Sequence, residues 1–256
     1  MRHLGWTPCE ADRDLWMKAE TRPSDGHMYY AYALLYVDDI LLAHHDAMPA
    51  LMAIDKYFTM KEGSMGDPDF YLGAKLRKMT LANGVEAWAM SASKYVNAAV
   101  ANITSHLKSR GQEHMMTKRA VTPFKGGYQP ELDVSEELNT EDATYFQSQI
   151  GILRWICELG RIDIITEISL LASHLALPRE GHLEAVYHIY AHLRSRHNAR
   201  MCFDPTYPNI DMSDFKECDW KTFYGDAKEA IPPGAPVARG KEVDLRLYVD
   251  SNHAGE

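Results

Sequence analysis

Leu34-Leu35-Tyr36-Val37-Asp38-Asp39-Ile40-Leu41-Leu42-Ala43 is the stretch on which the reading of this sequence turns. Two short apolar runs flank a pair of adjacent aspartates, and runs of that length around a polar turn predict a β-hairpin. The strands would hold Asp38 and Asp39 side by side at the tip. Two fixed carboxylates make a hard, oxygen-rich site suited to Mg²⁺, which takes oxygen ligands and keeps several waters. Paired ions at such a site can clamp the attacking and leaving oxygens of an in-line phosphoryl displacement. Aspartate is also a favoured turn residue, so the same tip read in isolation is first of all a soluble hairpin turn.

The 256 residues hold enough apolar content for one large domain or two small ones. No stretch approaches the ~20 uninterrupted apolar residues of a membrane helix, and Asp38 and Asp39 interrupt the longest apolar run. Met1-Arg2-His3-Leu4-Gly5-Trp6 lacks the apolar core of a signal peptide. These features predict an intracellular protein with no membrane partner and no targeting signal. Cys9, Cys157, Cys202 and Cys218 are widely spaced, which fits reduced packing thiols rather than a disulfide framework or a zinc ribbon.

A formal charge of −9 argues against a generic nucleic-acid binder, because phosphate contacts need clustered Lys and Arg. The charge is uneven, however. Lys108, Arg110, Lys118, Arg119 and Lys125 form one basic stretch, and Arg179, Arg194, Arg196 and Arg200 form another. A solvated face is the simpler reading of either run alone.

Local signals divide the rest. Asp25-Gly26 marks a tight turn before a strand over residues 29–36. Asp46 can cap a helix over about residues 47–58, with Pro49 tolerated in its first turn. Asn83-Gly84 is the strongest short hairpin signal and turns a strand beginning at Phe70 into residues 85–90. Ser91 or Ser93 is the expected N-cap of a helix running to about Leu107. Residues 110–140 read as a linker, the pattern turns helical from Asp142, and a last helix is expected over residues 179–195. Residues 203–242 are rich in proline and glycine, and residues 245–250 alternate as a strand. His188 and His192 lie four apart on a helix, but no third ligand accompanies them, so they read as satisfied or surface histidines. His44 and His45, adjacent in a strand, should point to opposite faces.

Tyr36-Val37-Asp38-Asp39-Ile40-Leu41 matches the Y-x-D-D box of reverse transcriptases, in the Y-V-D-D-[IM]-[LI] form seen in copia-type retrotransposons. Further boxes follow in the family's order. Phe70-Tyr71-Leu72-Gly73-Ala74-Lys75 resembles F-L-G-[IM]-[EQ], and Ser91-Ala92-Ser93-Lys94-Tyr95-Val96 resembles [LI]-S-Q-x-x-Y-[IV]. Residues 145–155 resemble Y-R-S-x-I-G-S-L-x-Y, and Arg161-Ile162-Asp163-Ile164 resembles R-P-D-I. Pro178 with Gly181-His182-Leu183-Glu184-Ala185 resembles P-x-x-x-H-W-x-A. Residues 245–256 resemble the opening of the retrotransposon ribonuclease H.

The resemblance implies an α+β fold. Residues 1–110 would form a partial polymerase palm, an antiparallel hairpin sheet with helices. A linker (111–141), a helical thumb and connection (142–202), an irregular segment (203–242) and the first strand of a truncated ribonuclease H (243–256) would follow. The implied reaction is RNA-directed DNA polymerisation with Mg²⁺ or Mn²⁺, an RNA or DNA template–primer and deoxynucleotides. The other implied partners are the remaining polyprotein segments, in a cytoplasmic virus-like particle or the nucleus. By the same analogy Asp38 is the main metal ligand and Asp39 a secondary one, with Tyr36 and Val37 beneath the primer terminus and incoming nucleotide. Gly73 would let the backbone approach the primer, Lys75 would lie near that site, and Asp250 would be the first ribonuclease H carboxylate. Read locally, Gly73 is a packing or bulge glycine. Reverse transcriptases take a further aspartate from an earlier strand, and Asp12, Asp14 and Asp25 lie in the wrong context for it. The expectation is therefore a polymerase fragment inactive alone. The alternative is a non-enzymatic nucleic-acid-binding remnant or a pseudogene product.

Overall fold

The computed structural model describes residues 1–116, 119–206, 219, 221–228 and 230–241. Contacts gather them into two units, one of residues 1–66 with the described residues beyond 209, the other Asp67–Pro208. This division falls inside the segment expected to be a single palm piece.

In the first unit β1 (Thr7–Pro8), β2 (Leu15–Thr21), β3 (Met28–Tyr36) and β4 (Asp39–Ala43) form one antiparallel sheet in sequence order. Successive strand side chains point to opposite faces, and β3 sorts its residues accordingly. Ala31 and Ala33 are fully buried, whereas Tyr32 and Tyr36 on the other face are exposed. The two small methyl groups leave room for Trp6, and Met1, Leu4, Trp16, Tyr29, Leu42 and Ala50 complete this compact cluster. Helix α1 (Ala47–Asp55) buries Leu51 and Ile54. Asp46 occupies its N-cap position but its side chain makes no cap hydrogen bond; its backbone N–H donates to His44 Nδ1 at 3.0 Å. The helix stops short of the expected residue 58, because the Asp55 carboxylate accepts the Met60 N–H at 2.7 Å and closes the turn.

The second unit has its own antiparallel sheet. Its strands are β5 (Phe70–Tyr71), β6 (Ala74–Thr80), β7 (Glu86–Ser91) and β8 (Met201–Phe203), in that order. Asn83-Gly84 makes the expected turn, with Gly84 at φ +81° and the Gly84 N–H donating to Leu81 O at 2.9 Å. Helices α2 (Ser93–Ser109), α3 (Thr140–Glu158), α4 (Ile165–Ala172) and α5 (Glu180–Ser195) supply most of one large core. Val96, Ile103 and Leu107 recur at helical spacing on α2 and meet Phe146, Ile150, Leu153 and Ile156 of α3. Most of α5 is buried, and Tyr190 donates to Gln149 Oε1 at 2.9 Å so that neither polar group is left alone.

Two expectations are corrected in this unit. The N-cap of α2 is Ala92, not Ser91 or Ser93; Ser91 Oγ accepts the Ser93 N–H at 3.3 Å from outside the helix. Among its described residues, the expected linker at 111–141 is a packed strap. Met116 and Ala120 are buried in the helical core, and Phe124, Tyr128 and Leu138 lie against it. His182 fixes the strap to α5: its Nδ1 accepts the Arg179 N–H at 3.1 Å, so its Nε2 donates to Pro130 O at 3.0 Å. Asp133 binds the Tyr128 hydroxyl at 2.9 Å and the Ser135 N–H at 2.9 Å, and Ser135 Oγ accepts the Gly181 N–H at 2.9 Å. Gly181 is required here by close approach, since a Cβ would fall 1.8 Å from Asp133 Oδ2.

With two antiparallel sheets and helices, the described residues fall in the expected α+β class. Among them no helix is long and apolar enough to cross a membrane.

Candidate active site

The β3–β4 hairpin pairs Tyr36 with Asp39, Leu35 with Ile40 and Leu34 with Leu41. Only Val37 and Asp38 remain to make the turn. Directly opposed residues of an antiparallel pair share a face, so Tyr36 and Asp39 stand together on the face opposite the buried alanines. Asp38 lies at the tip, and both carboxylates are exposed. The flanking apolar residues Leu34, Leu35, Ile40, Leu41 and Leu42 are half-buried.

Val37 has φ +53° and is 94% exposed. A β-branched residue in the left-handed region is a conformational outlier, and no burial compensates it here. Two carboxylates on a short tip fit a Mg²⁺ that takes one or two protein oxygens and completes its shell with water and substrate phosphate. They do not make a preformed cage: among the described residues no group of three or more His, Cys, Asp or Glu side chains is arranged to hold a metal.

The other expected site residues belong to the second unit. Leu72 at φ +50° and Gly73 at φ +87° are the two central residues between the paired Tyr71 and Ala74, which makes a type I′ turn. Gly73 has open space where a Cβ would stand, so the turn, not close packing, demands it. Lys75 pairs across the strands with Phe70; its Nζ is 4.0 Å from Asp69 and 5.8 Å from the Phe70 ring centre. Lys94 reaches the same ring at 5.8 Å. Asp250 and the strand expected around it lie outside the described residues, as does Lys118.

Several basic residues are already paired. Arg110 grips Asp142 with its closest contact at 2.5 Å, Lys125 lies 3.6 Å from Glu184, and Arg179 lies 3.4 Å from Glu137. The Arg161-Ile162-Asp163-Ile164 box is structural. Arg161, 1% exposed, forks onto Asp163 with two contacts of 2.8 Å and donates to Arg196 O at 3.1 Å. Burial works to raise the Asp163 pKa, but the Arg161 fork outweighs it and leaves it lowered. His192 Nε2 sits 3.5 Å from the same carboxylate, which accounts for one member of the His188–His192 pair. The R-x-D spacing is the only local signal of this cluster; the third partner, His192, comes from α5, a separate helix.

His44 and His45 do not point to opposite faces. Strand β4 ends at Ala43, the pleat ends with it, and the two rings stack with centres 4.7 Å apart.

The chain is 26% identical over 198 residues to a Saccharomyces cerevisiae protein described as "Putative transposon Ty5-1 protein". The match takes in 75% of this chain and 56% of the yeast protein, so the chain spans about half the length of its relative. The similarity relates the chain to a transposon protein. No protein-family profile and no solved structure matches it.

Proposed function

We propose that the chain is part of the RNA-directed DNA polymerase of a copia-type retrotransposon, with metal-dependent nucleotidyl transfer a property of the intact protein. The observation that carries this is the Tyr36–Asp39 tip, which forces Val37 left-handed while leaving Asp38 and Asp39 open to solvent. A hairpin built only to turn favours Gly or Asn at such a position. Keeping valine there costs about 1–2 kcal/mol, and backbone strain of this kind gathers at functional sites. The similarity to the Ty5-1 protein supports the same direction.

In this reading Asp38 is the main ligand for Mg²⁺ or Mn²⁺ and Asp39 a secondary one. Bound there, the ions supply Lewis-acid activation of the primer hydroxyl and charge stabilisation at the phosphate. Tyr36 and Val37 support the primer terminus and the incoming deoxynucleotide. The hairpin around Leu72-Gly73 carries Phe70 and Lys75, and Lys94 reaches over from the start of α2; an exposed ring with two ammonium groups beside it suits a nucleic-acid strand. Strands β1 to β7 with α1 and α2 are read as palm elements, and α3 to α5 as thumb and connection. Asp250 opens a ribonuclease H domain. Template–primer, deoxynucleotides and the rest of the polyprotein are the partners, in a virus-like particle or the nucleus. For the non-enzymatic binder, three of the basic residues, Arg110, Lys125 and Arg179, already face a carboxylate.

The test has two arms. Mn²⁺ binding followed by water-proton relaxation is expected to be weak and to disappear in Asp38→Asn. Binding unchanged in both Asp38→Asn and Asp39→Asn overturns the active-site reading. Primer extension by the chain alone is expected to be absent, because two carboxylates do not hold both ions productively. Incorporation abolished by Asp38→Asn would overturn that part.

A further inference from the structure

Strand β3 divides the first unit into a covered and an open side. Ala31 and Ala33 face Trp6 and α1, whereas Tyr30, Tyr32, Leu34 and Tyr36 alternate onto the opposite face. Directly opposed residues share a face, so Tyr32 lies between Met17 of β2 and Ala43 of β4, and Leu34 between Leu15 and Leu41. Tyr32 is 40% and Tyr36 47% exposed. Among the paired strand residues on this side, Asp39 at the tip is the one that carries a charge. The result is an apolar sheet face with open tyrosine rings.

A cation stands at the far end of the same face. Arg239 lies with its guanidinium 5.6 Å from the centre of the Tyr30 ring. The Tyr30 hydroxyl donates to Val237 O at 2.8 Å, which fixes the segment carrying Arg239 there. Tyr30 is thereby covered, and the next ring on that face, Tyr32, roughly 7 Å along the strand, stays open. Among the described residues Arg239 has no ion pair, and its buried Nε has no hydrogen-bond partner. An apolar protein surface laid over this face would meet the leucines but bury Arg239 and the tyrosine hydroxyls without partners, which is costly. A nucleic-acid strand supplies both a flat base for the open ring and a phosphate oxygen for the guanidinium.

We propose that a single-stranded nucleic-acid segment lies along this open face, with one base stacked on Tyr32 and the adjoining phosphate held by Arg239. An antiparallel sheet with aromatic side chains on its free face suits this, since every base has a π-face and an unpaired base can splay out to meet a ring. A duplex keeps its bases stacked inside and presents none. The contact stands by itself; only the continuation of the strand toward Tyr36 and the Asp38–Asp39 tip rests on the polymerase reading.

Fluorescence anisotropy of a labelled oligodeoxythymidylate, titrated with the full chain at low salt in EDTA, tests this. Saturable binding is expected, weakened roughly tenfold in Tyr32→Ala and retained in Tyr32→Phe, which keeps the ring. Arg239→Gln should weaken binding and lower the slope of log affinity against log salt by about 0.7, the loss of one phosphate contact on a single strand. Absence of saturable binding, or binding that neither Tyr32→Ala nor Arg239→Gln alters, overturns the proposal. So does a duplex of equal length that competes as well as the single strand. Self-association lost in Tyr32→Ala, without oligonucleotide binding, assigns the face to a second copy and overturns it too. EDTA keeps metal off the Asp38–Asp39 tip, so this contact and the polymerase reading fail separately.

Discussion

At the scale of the residue, Val37 and Gly181 are opposite cases of a side chain in tension with its place. Val37 keeps a Cβ branch in a left-handed backbone that suits Asn better. Val37→Asn is expected to raise stability by about 0.5–1 kcal/mol in urea unfolding, with the hairpin register unchanged. Gly181 has no room for a methyl group beside Asp133. Gly181→Ala should cost about 1–3 kcal/mol as an overpacking change, and a cycle with Asp133→Ala should recover part of it. Of these two positions only the first was foreshadowed in the sequence, where Val37 sits inside a recognisable Y-x-D-D string. The need for Gly181 comes from a carboxylate forty-eight positions earlier, and no window of sequence around the glycine contains it. Gly73 lies between: an X-Gly pair flanked by strand residues carries its own turn chemistry, and the type I′ geometry follows from it.

At the scale of the element, α5 was legible almost to the residue and the strap before α3 was not. Pro178 ahead of a long apolar-periodic run marks a helix start, and the helix occupies Glu180–Ser195. The strap is full of Gly, Pro and acidic residues, which is also how a free linker reads. What makes it structure is the burial of Met116 and Ala120 and the His182 contact to Pro130 O, all supplied by distant elements. The reading of α1 failed at its end for a local reason, the Asp55 carboxylate capturing the Met60 N–H. The α3–α5 contact gives a measurable case. Tyr190→Phe removes the donor that satisfies Gln149 Oε1 in a buried setting. Leaving that acceptor unmet should cost about 1–3 kcal/mol in chemical denaturation, and Gln149→Leu in the same background should restore part of it.

At the scale of the whole molecule, three half-buried histidines shape the pH response of the second unit. Burial lowers the pKa of His106, His174 and His188 below their ordinary value. The unfolded chain then binds protons that the native state does not, so stability is fully present above about pH 6.5 and falls as the pH drops through that value. Urea midpoints measured at neutral and mildly acidic pH should decline in that order, and His106→Gln should flatten the decline. Asp142 adds a second, more acidic loss: Arg110 holds its carboxyl below the usual carboxylate range, so its contribution vanishes only under stronger acid. The two units differ in how much they bury. A broad helical core supports the second, whereas the Asp38–Asp39 hairpin rests on a compact cluster around Trp6, Ala31 and Ala33. Amide protons report such differences directly, since sparse burial means frequent local opening. The backbone N–H groups of β3 and β4 should exchange with deuterium faster than those of α3 and α5. The Asp38–Asp39 tip, on so lightly anchored a sheet, should be at its most rigid when loaded, and slowed exchange there would be the first sign of whatever settles onto it.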